Sequence, residues 1–270
     1  MTDPAELPDA VVAAVRRLAS TARLLVALDF DGTLAPIVNR PDDARALPAA
    51  AAAAARLATA QDTRVAYVSG RALASLRAVA DPPPGTLLVG SHGSELQLGD
   101  GESPAAELDE AERTQLTELS DVLAEIVDGA PQVWLERKPA GVAVHTRLAT
   151  LDDAREAQSR ARHAAAKISG LTVRDGKDVL EFSVRAATKG SAIETLRRNT
   201  GATATFYAGD DVTDEDAFAA LGPGDVAVKV GPGATVAAFR VTDCAQFATL
   251  LGVLADERHD FLGKPTREGS

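Results

Sequence analysis

The sequence predicts an α/β protein: a doubly wound, largely parallel sheet with a smaller α+β unit inserted into it. Three observations carry this. Short unbroken apolar runs, such as Leu24-Leu-Val-Ala-Leu28, each end in a small polar turn, as parallel strands buried on both faces do. Stretches with helical periodicity separate these runs. After Asp100-Gly101 the rhythm changes to helix, hairpin, helix, hairpin, and βα alternation returns past Thr188. The expected division is therefore a core of residues 1–104 and 186–270, with an inserted unit at 105–185.

The elements follow in order. Residues 10–19 space Val11, Val12, Val15 and Leu18 at helical intervals. The run 24–28 is a strand closed by Asp29-Phe-Asp-Gly-Thr33. The alanine-rich stretch 49–58 is helical, the strand 65–68 ends in Ser69-Gly-Arg71, and a helix follows to about Val79. Leu87-Leu-Val89 is a third strand with a glycine-rich end, Gly90-Ser-His-Gly93. In the insert, 106–128 reads as one amphipathic helix, with Leu108, Leu116, Leu119, Leu123 and Ile126 on or near one stripe. Two strand-like stretches flank Pro139-Ala-Gly141 as a hairpin signal, 151–168 is helical, and a second hairpin is expected to turn at Asp175-Gly176. Beyond it come strands 204–208 and 226–230, a helix at 245–256 and a polar tail expected to be disordered. No internal repeat is present.

Composition narrows the function classes. The 270 residues hold 28 Lys and Arg against 39 Asp and Glu, a formal charge of −11. Without a basic run, such a chain lacks the electrostatic footprint of a nucleic-acid binder. Cys244 stands alone, which excludes an intrachain disulfide framework and a cysteine-based metal site. The acidic opening does not read as a signal peptide, and no apolar run approaches the roughly 20 residues that span a bilayer. The expectation is a cytoplasmic protein acting on a small molecule, with no nucleic-acid or membrane partner. Its oligomeric state is open, with a monomer favoured.

In an open parallel sheet, ligands bind beyond the carboxyl ends of the strands. The loops there, with one helix start, carry Asp29/Asp31/Thr33, Ser69/Arg71, Lys189 and Asp210/Asp211/Asp214. Several carboxylates together with a lysine and hydroxyls call for a hard cation with oxygen ligands. Mg²⁺ fits best, since it takes one or two carboxylates beside substrate phosphate. Asp29 and Asp31, two apart in extended chain, point to the same side of the sheet. One can attack phosphorus while the other shuttles a proton. Gly32 permits a sharp turn, Thr33 and Ser69 offer hydrogen bonds, and Lys189 at a helix start can neutralise a phosphoryl group.

Together, Asp29-Phe-Asp-Gly-Thr33, Ser69-Gly-Arg71, Lys189-Gly190 and Gly209-Asp-Asp-Val-Thr-Asp-Glu215 resemble the four motifs of the haloacid-dehalogenase-like (HAD) phosphatases, which have a Rossmann-like core. With Gly90-Ser-His-Gly-Ser-Glu95 and the fuller motifs Leu28-to-Ile37 and Gly209-to-Phe218, the chain resembles the trehalose-6-phosphate phosphatase family over nearly its whole length. The resemblance implies hydrolysis of trehalose 6-phosphate in trehalose biosynthesis through an aspartyl-phosphate, with an αββαββ cap closing over the core. It implies Asp29 as nucleophile and Asp31 as general acid and base. Mg²⁺ would be held by the Asp29 carboxylate, the Asp31 carbonyl and Asp210, with Asp211 and Asp214 orienting around it, and Thr33, Ser69 and Lys189 would cradle phosphate. Substrate contacts would come from Gly70, Arg71, His92, Glu136, Lys138, His145, Arg147 and Glu181. The family's His-Tyr-Arg element stands here as His145-Thr-Arg147. A phosphatase for sucrose 6-phosphate or mannosyl-3-phosphoglycerate, and a non-catalytic phosphoacceptor or phospho-sugar-binding regulator, are the alternatives.

Other polar residues have plainer readings. Asp42-Asp43 and Asp152-Asp153 mark helix starts, and His163 and His259 are surface groups. Trp134 is expected to pack the cap sheet and Cys244 to be a small buried hydrophobe.

Overall fold

A computed structural model describes residues 7–99, 108–176 and 178–263. The chain divides into two compact units, Met1–Ser103 with Thr188–Ser270, and Pro104–Ala187. The expected boundary at 104/105, the first residues of the expected 106–128 helix and the terminal tail lie outside the described residues. In chain order the elements begin with α1 (Asp9–Ala19), β1 (Leu24–Leu28), α2 (Pro48–Thr59), β2 (Thr63–Val68), α3 (Leu73–Ala80), β3 (Leu87–Gly90) and β4 (Glu95–Gln97). The second unit holds α4 (Glu110–Asp128), β5 (Trp134–Lys138), β6 (Gly141–His145), α5 (Leu151–Ala165), β7 (Thr172–Gly176) and β8 (Val179–Ser183). The first unit resumes with α6 (Lys189–Thr200), β9 (Ala204–Gly209), α7 (Asp214–Ala219), β10 (Val226–Val230), β11 (Phe239–Val241) and α8 (Cys244–Leu262).

The first unit is a seven-stranded sheet in the order β11-β10-β9-β1-β2-β3-β4, parallel except for β4. All five residues of β1 are buried, which explains its unbroken apolar run. Leu24, Val26 and Leu28 join the core formed with α1, α2, α3 and α8, while Leu25 and Ala27 join the one formed with α6 and α7. Each such leucine contributes about 1.5–3 kcal/mol by leaving water. The chain builds outward from β1 to β2 and β3 on one side, and from β9 to β10 and β11 on the other. The carboxyl ends of β1 and β9 thus adjoin where the winding reverses, the place such sheets bind ligands. Helix α8 runs past the expected end at 256, and Arg258 within its added turns is wholly buried. Its guanidinium donates to the carbonyls of Ala19, Thr21 and Asp62 and to Thr63 Oγ1 at 2.6–3.0 Å.

The second unit is an antiparallel sheet, β5-β6-β8-β7, with α4 and α5 against one face. Leu119, Leu123, Ala157 and Ala161 pack there on Val142, Val144, Leu180 and Phe182. Helix α4 is set by a capping box in which Asp109 accepts from the Glu112 N–H and Glu112 reaches back. Strand alternation sends Glu136, Lys138, His145 and Glu181 to the opposite face. The second hairpin does not turn at Asp175-Gly176. Those residues continue β7, with Gly176 paired to Val179, and Asp178 takes the positive φ of the turn (59°). Trp134 does not pack inside the sheet: it is exposed and stacks on His145, ring centroids 4.9 Å apart and 9° from parallel.

Candidate active site

The loop after β1 starts as a continuation of the ladder, the Asp29 N–H donating to Ala208 O of β9 at 3.0 Å. Gly32 then turns the chain at φ +87°, and a Cβ there would lie 2.0 Å from Asp210 Oδ2. Only glycine meets both demands. Thr33 is fully buried, with its Oγ1 lacking a hydrogen-bond partner among the described residues. A donor left in that state suits an incoming anionic oxygen.

Lys189, first residue of α6, is placed by the Thr188 capping box with Ser191. Its Nζ lies 2.7 Å from Asp29 Oδ1 and 2.7 Å from Asp214 Oδ1, all three groups being buried. Tyr207, on β9, donates its hydroxyl to Asp214 Oδ1 at 2.6 Å, and the Asp211 N–H donates to Asp214 Oδ2 at 2.9 Å. Burial alone would lower the Lys189 ammonium, but Asp214 and Asp29 reverse this and hold it above its ordinary value. Burial pushes the Asp29 carboxyl well above the usual carboxylate range; Lys189 pulls against this, and Asp214 and Asp210 add to the rise.

Oxygens of Asp29, Asp210 and Asp214 lie within 4.8 Å of one another. Burial, then the charge of Asp214, pushes the Asp210 carboxyl up to about 7. Since Lys189, Tyr207 and Asp211 already occupy Asp214, the open donors are Asp29 and Asp210. Two carboxylates with room for substrate oxygens suit a hard divalent cation such as Mg²⁺. Asp211 is not drawn into the cluster; its Oδ1 accepts from the Val212 N–H at 2.8 Å.

Asp29 and Asp31 have separate partners. Arg71 grips Asp31 through two bonds, Nε to Oδ2 at 2.5 Å and Nη2 to Oδ1 at 2.7 Å, and donates also to Pro41 O at 2.9 Å. Ser69 is buried, its Oγ accepting from the Arg71 N–H. The His92 N–H donates to Ser69 O, and its ring lies so close to Gly70 that a Cβ there would fall 2.5 Å from Cε1. Ser91 and His92 both have positive φ (47° and 56°), a costly backbone fastened by Ser91 Oγ donating to buried Glu95 at 2.5 Å.

In the second unit the open sheet face gathers Glu136, Lys138, His145 and Glu181. Lys138 Nζ bonds Glu181 Oε1 at 2.7 Å, and His145 Nε2 meets Glu136 Oε2 at 2.9 Å, which holds the Glu136 carboxyl below its ordinary range. Arg147 follows β6 in a half-buried position. Thr146 is buried, its Oγ1 donating to Asp178 O and accepting from Gln158 of α5, so it does not join the open face. Sequence reasoning missed Tyr207 and Lys229, and gave Glu95 no role beyond its place in the Gly90-to-Glu95 motif. It also missed that Cys244 is half-buried and its thiol donates to Gly32 O at 3.1 Å.

A parallel α/β core interrupted by a separate α+β unit, with a buried Asp–Lys–Asp centre beyond β1 and β9, defines a HAD-like phosphatase, a phosphomonoesterase. The model of the trehalose-phosphatase family matches residues 27–245. The chain belongs to that family. It is 37% identical over 266 residues to the trehalose-phosphate phosphatase of Mycobacterium marinum, covering 93% of this chain and 67% of that protein. The Mycobacterium ulcerans trehalose-phosphate phosphatase is also 37% identical, with the same coverage. The C-terminal domain of Candida albicans trehalose-6-phosphate phosphatase shares the fold, with a TM-score of 0.78, 23% identity, and 91% of this chain and 96% of that one covered. Among the described residues no helix is long and apolar enough to cross a membrane.

Proposed function

We propose that this chain hydrolyses trehalose 6-phosphate to trehalose and phosphate, the step that completes trehalose biosynthesis. Family membership together with the buried Asp29–Lys189–Asp214 centre carries the reading. Asp29 attacks phosphorus and forms an aspartyl-phosphate as the bond to the sugar oxygen breaks. Asp31, which must leave the two-bond grip of Arg71 to carry a proton, gives that oxygen its proton. Water then attacks the acyl-phosphate phosphorus, Asp31 takes the water's proton, and phosphate leaves with Asp29 restored. Lys189, Thr33 and Ser69 hold the phosphoryl oxygens, so that positioning and charge neutralisation supply most of the catalysis. A Mg²⁺ held by Asp29, the Asp31 carbonyl and Asp210 would offset phosphoryl charge, while Asp214 keeps Lys189 in place. Glu136, Lys138, His145 and Glu181 are the groups we assign to the sugar hydroxyls, which charged side chains bind well.

The test is phosphate release from a panel of disaccharide and hexose phosphates, with and without EDTA. Trehalose 6-phosphate should give the highest kcat/KM, and EDTA should stop release. Glu181→Ala should lower kcat/KM for trehalose 6-phosphate at least tenfold more than for p-nitrophenyl phosphate. Equal losses on both would remove Glu181 from sugar selection, and a higher kcat/KM for sucrose 6-phosphate would overturn the substrate assignment.

Acidity should govern cation binding. Free of metal, the folded chain keeps the Asp210 proton up to about 7, whereas an unfolded chain releases it near 3.9. The stability contributed by this raised carboxyl is therefore complete below about pH 4 and is lost as pH rises through about 7. Mg²⁺ needs the ionised group. The rise in Tm that Mg²⁺ produces is accordingly expected to be larger at about pH 8 than at about pH 6. Melting curves with and without the cation check this, and an equal rise at both pH values would contradict it.

A further inference from the structure

Lys229 lies in β10 within Val226-Ala-Val-Lys-Val230, a strand buried at every position. It is only 3% exposed. A lysine sealed in this way needs partners for its charge. They come from the loop after β9 and from α7. Nζ donates to Asp210 O at 2.6 Å and stands 3.3 Å from Asp211 O, with Glu215 Oε1 at 3.7 Å. Glu215 is itself anchored, its Oε2 accepting from the Val236 N–H at 2.8 Å and from Thr235 Oγ1 at 3.2 Å. The register places Lys229 opposite Gly209, immediately before the acidic loop. One ammonium thus draws together two successive peptide carbonyls at the point where the Asp210 carboxylate is presented against Gly32.

We propose that Lys229 is a positioning residue for the cation site. By holding the carbonyls of Asp210 and Asp211 it fixes the backbone from which the Asp210 carboxylate reaches Mg²⁺. The proposal rests on the reading of Asp29 and Asp210 as the cation's carboxylate ligands. Coulomb's law taken alone predicts the opposite consequence for removing Lys229, because deleting a cation beside an acidic site attracts Mg²⁺ more strongly. The two accounts therefore differ in sign. A residue that orients a ligand typically changes metal affinity by about 10–100-fold when lost.

The experiment is calorimetric titration of the EDTA-stripped full chain with Mg²⁺, for the parent, Lys229→Met, Lys229→Arg and Asp210→Asn, with each variant's metal-free Tm measured alongside. Lys229→Met is expected to bind Mg²⁺ about tenfold more weakly, with a metal-free fold that still melts cooperatively. Lys229→Arg, which keeps the charge and the donors, should recover most of that loss. If Lys229→Met does not fold, Lys229→Gln replaces it with the same expectation, since one amide can serve only part of the pair of carbonyls. Unchanged or tighter Mg²⁺ binding in the folded variant, with Asp210→Asn abolishing binding, overturns the role of Lys229 and leaves the cation site standing. If the parent binds no Mg²⁺, or Asp210→Asn binds it unimpaired, the reading of the site fails and the proposal falls with it.

Discussion

Asp29→Asn is expected to lower turnover of trehalose 6-phosphate by about 10⁴-fold or more while leaving the folded chain at least as stable as the parent. The amide is nearly the same size and shape, so the loop from Asp29 to Thr33 keeps its Ala208 hydrogen bond and its Gly32 turn. What disappears is the proposed nucleophile, since a neutral amide oxygen does not form the acyl-phosphate that the two-step route needs. The stability side follows from the crowding of charge. Asp29 sits buried beside Asp210 and Asp214, and its carboxyl is raised well above the ordinary range. Neutralising one member removes repulsion and desolvation, and Lys189 keeps Asp214 as its partner. Phosphate release and Tm measured on the same preparation check both parts. Turnover within about tenfold of the parent would show that another group attacks phosphorus.

Lys189→Met is expected to damage both fold and activity. The ammonium lies 2.7 Å from each of two buried carboxylates, and its loss leaves them facing one another without a counter-charge. Breaking a buried pair by removing one partner costs about 3–5 kcal/mol. Loss of a preorganised donor to the phosphoryl group lowers kcat by about 10²–10³-fold. The destabilisation should depend on pH with a definite sign. Lys189 opposes the upward push on Asp29, so its removal raises that carboxyl further. Acid protonates Asp29 and relieves the stranded charge, whereas base does not. Relative to the parent, the variant should be weakest at about pH 8 and recover part of its deficit at about pH 5.5, as read by urea unfolding. A deficit that grew on acidification would contradict the arrangement.

Much of the core was legible because its signals are local. A strand buried on both faces must be apolar throughout, and the acidic loops begin where such runs stop, so β1, β2 and β9 and the residues after them could be read directly. The short edge strands β4 and β11 could not. Three residues carry no periodicity, and only their neighbours β3 and β10 make them strands. Gly176 misled because glycine beside Asp175 usually marks a turn, yet here cross-strand pairing carries β7 through it. Trp134 followed its size in the sequence reading, but its place in β5 puts it beside His145, on the open face.

Within the candidate centre, the acidic residues and Lys189 were visible through motif spacing. Their hydrogen-bond partners were not, because these depend on contacts between segments apart in the chain. Arg71 reaches Asp31 across 40 positions, and Asp214 is claimed by Tyr207, 7 positions before it, and by Lys189, 25 positions before it. Lys229 did leave a trace, a lone cation inside an apolar central strand. That oddity has meaning only once the sheet order sets β10 beside β9.

The chain leaves the first unit after β4 and re-enters it just before Lys189, and every residue assigned to phosphorus, from Asp29 to Asp214, belongs to that unit. Glu136, Lys138, His145 and Glu181, the groups we assign to the sugar hydroxyls, belong to the other. On the proposed assignment, replacing the intervening segment would alter the diet and leave in place the groups that cleave the bond.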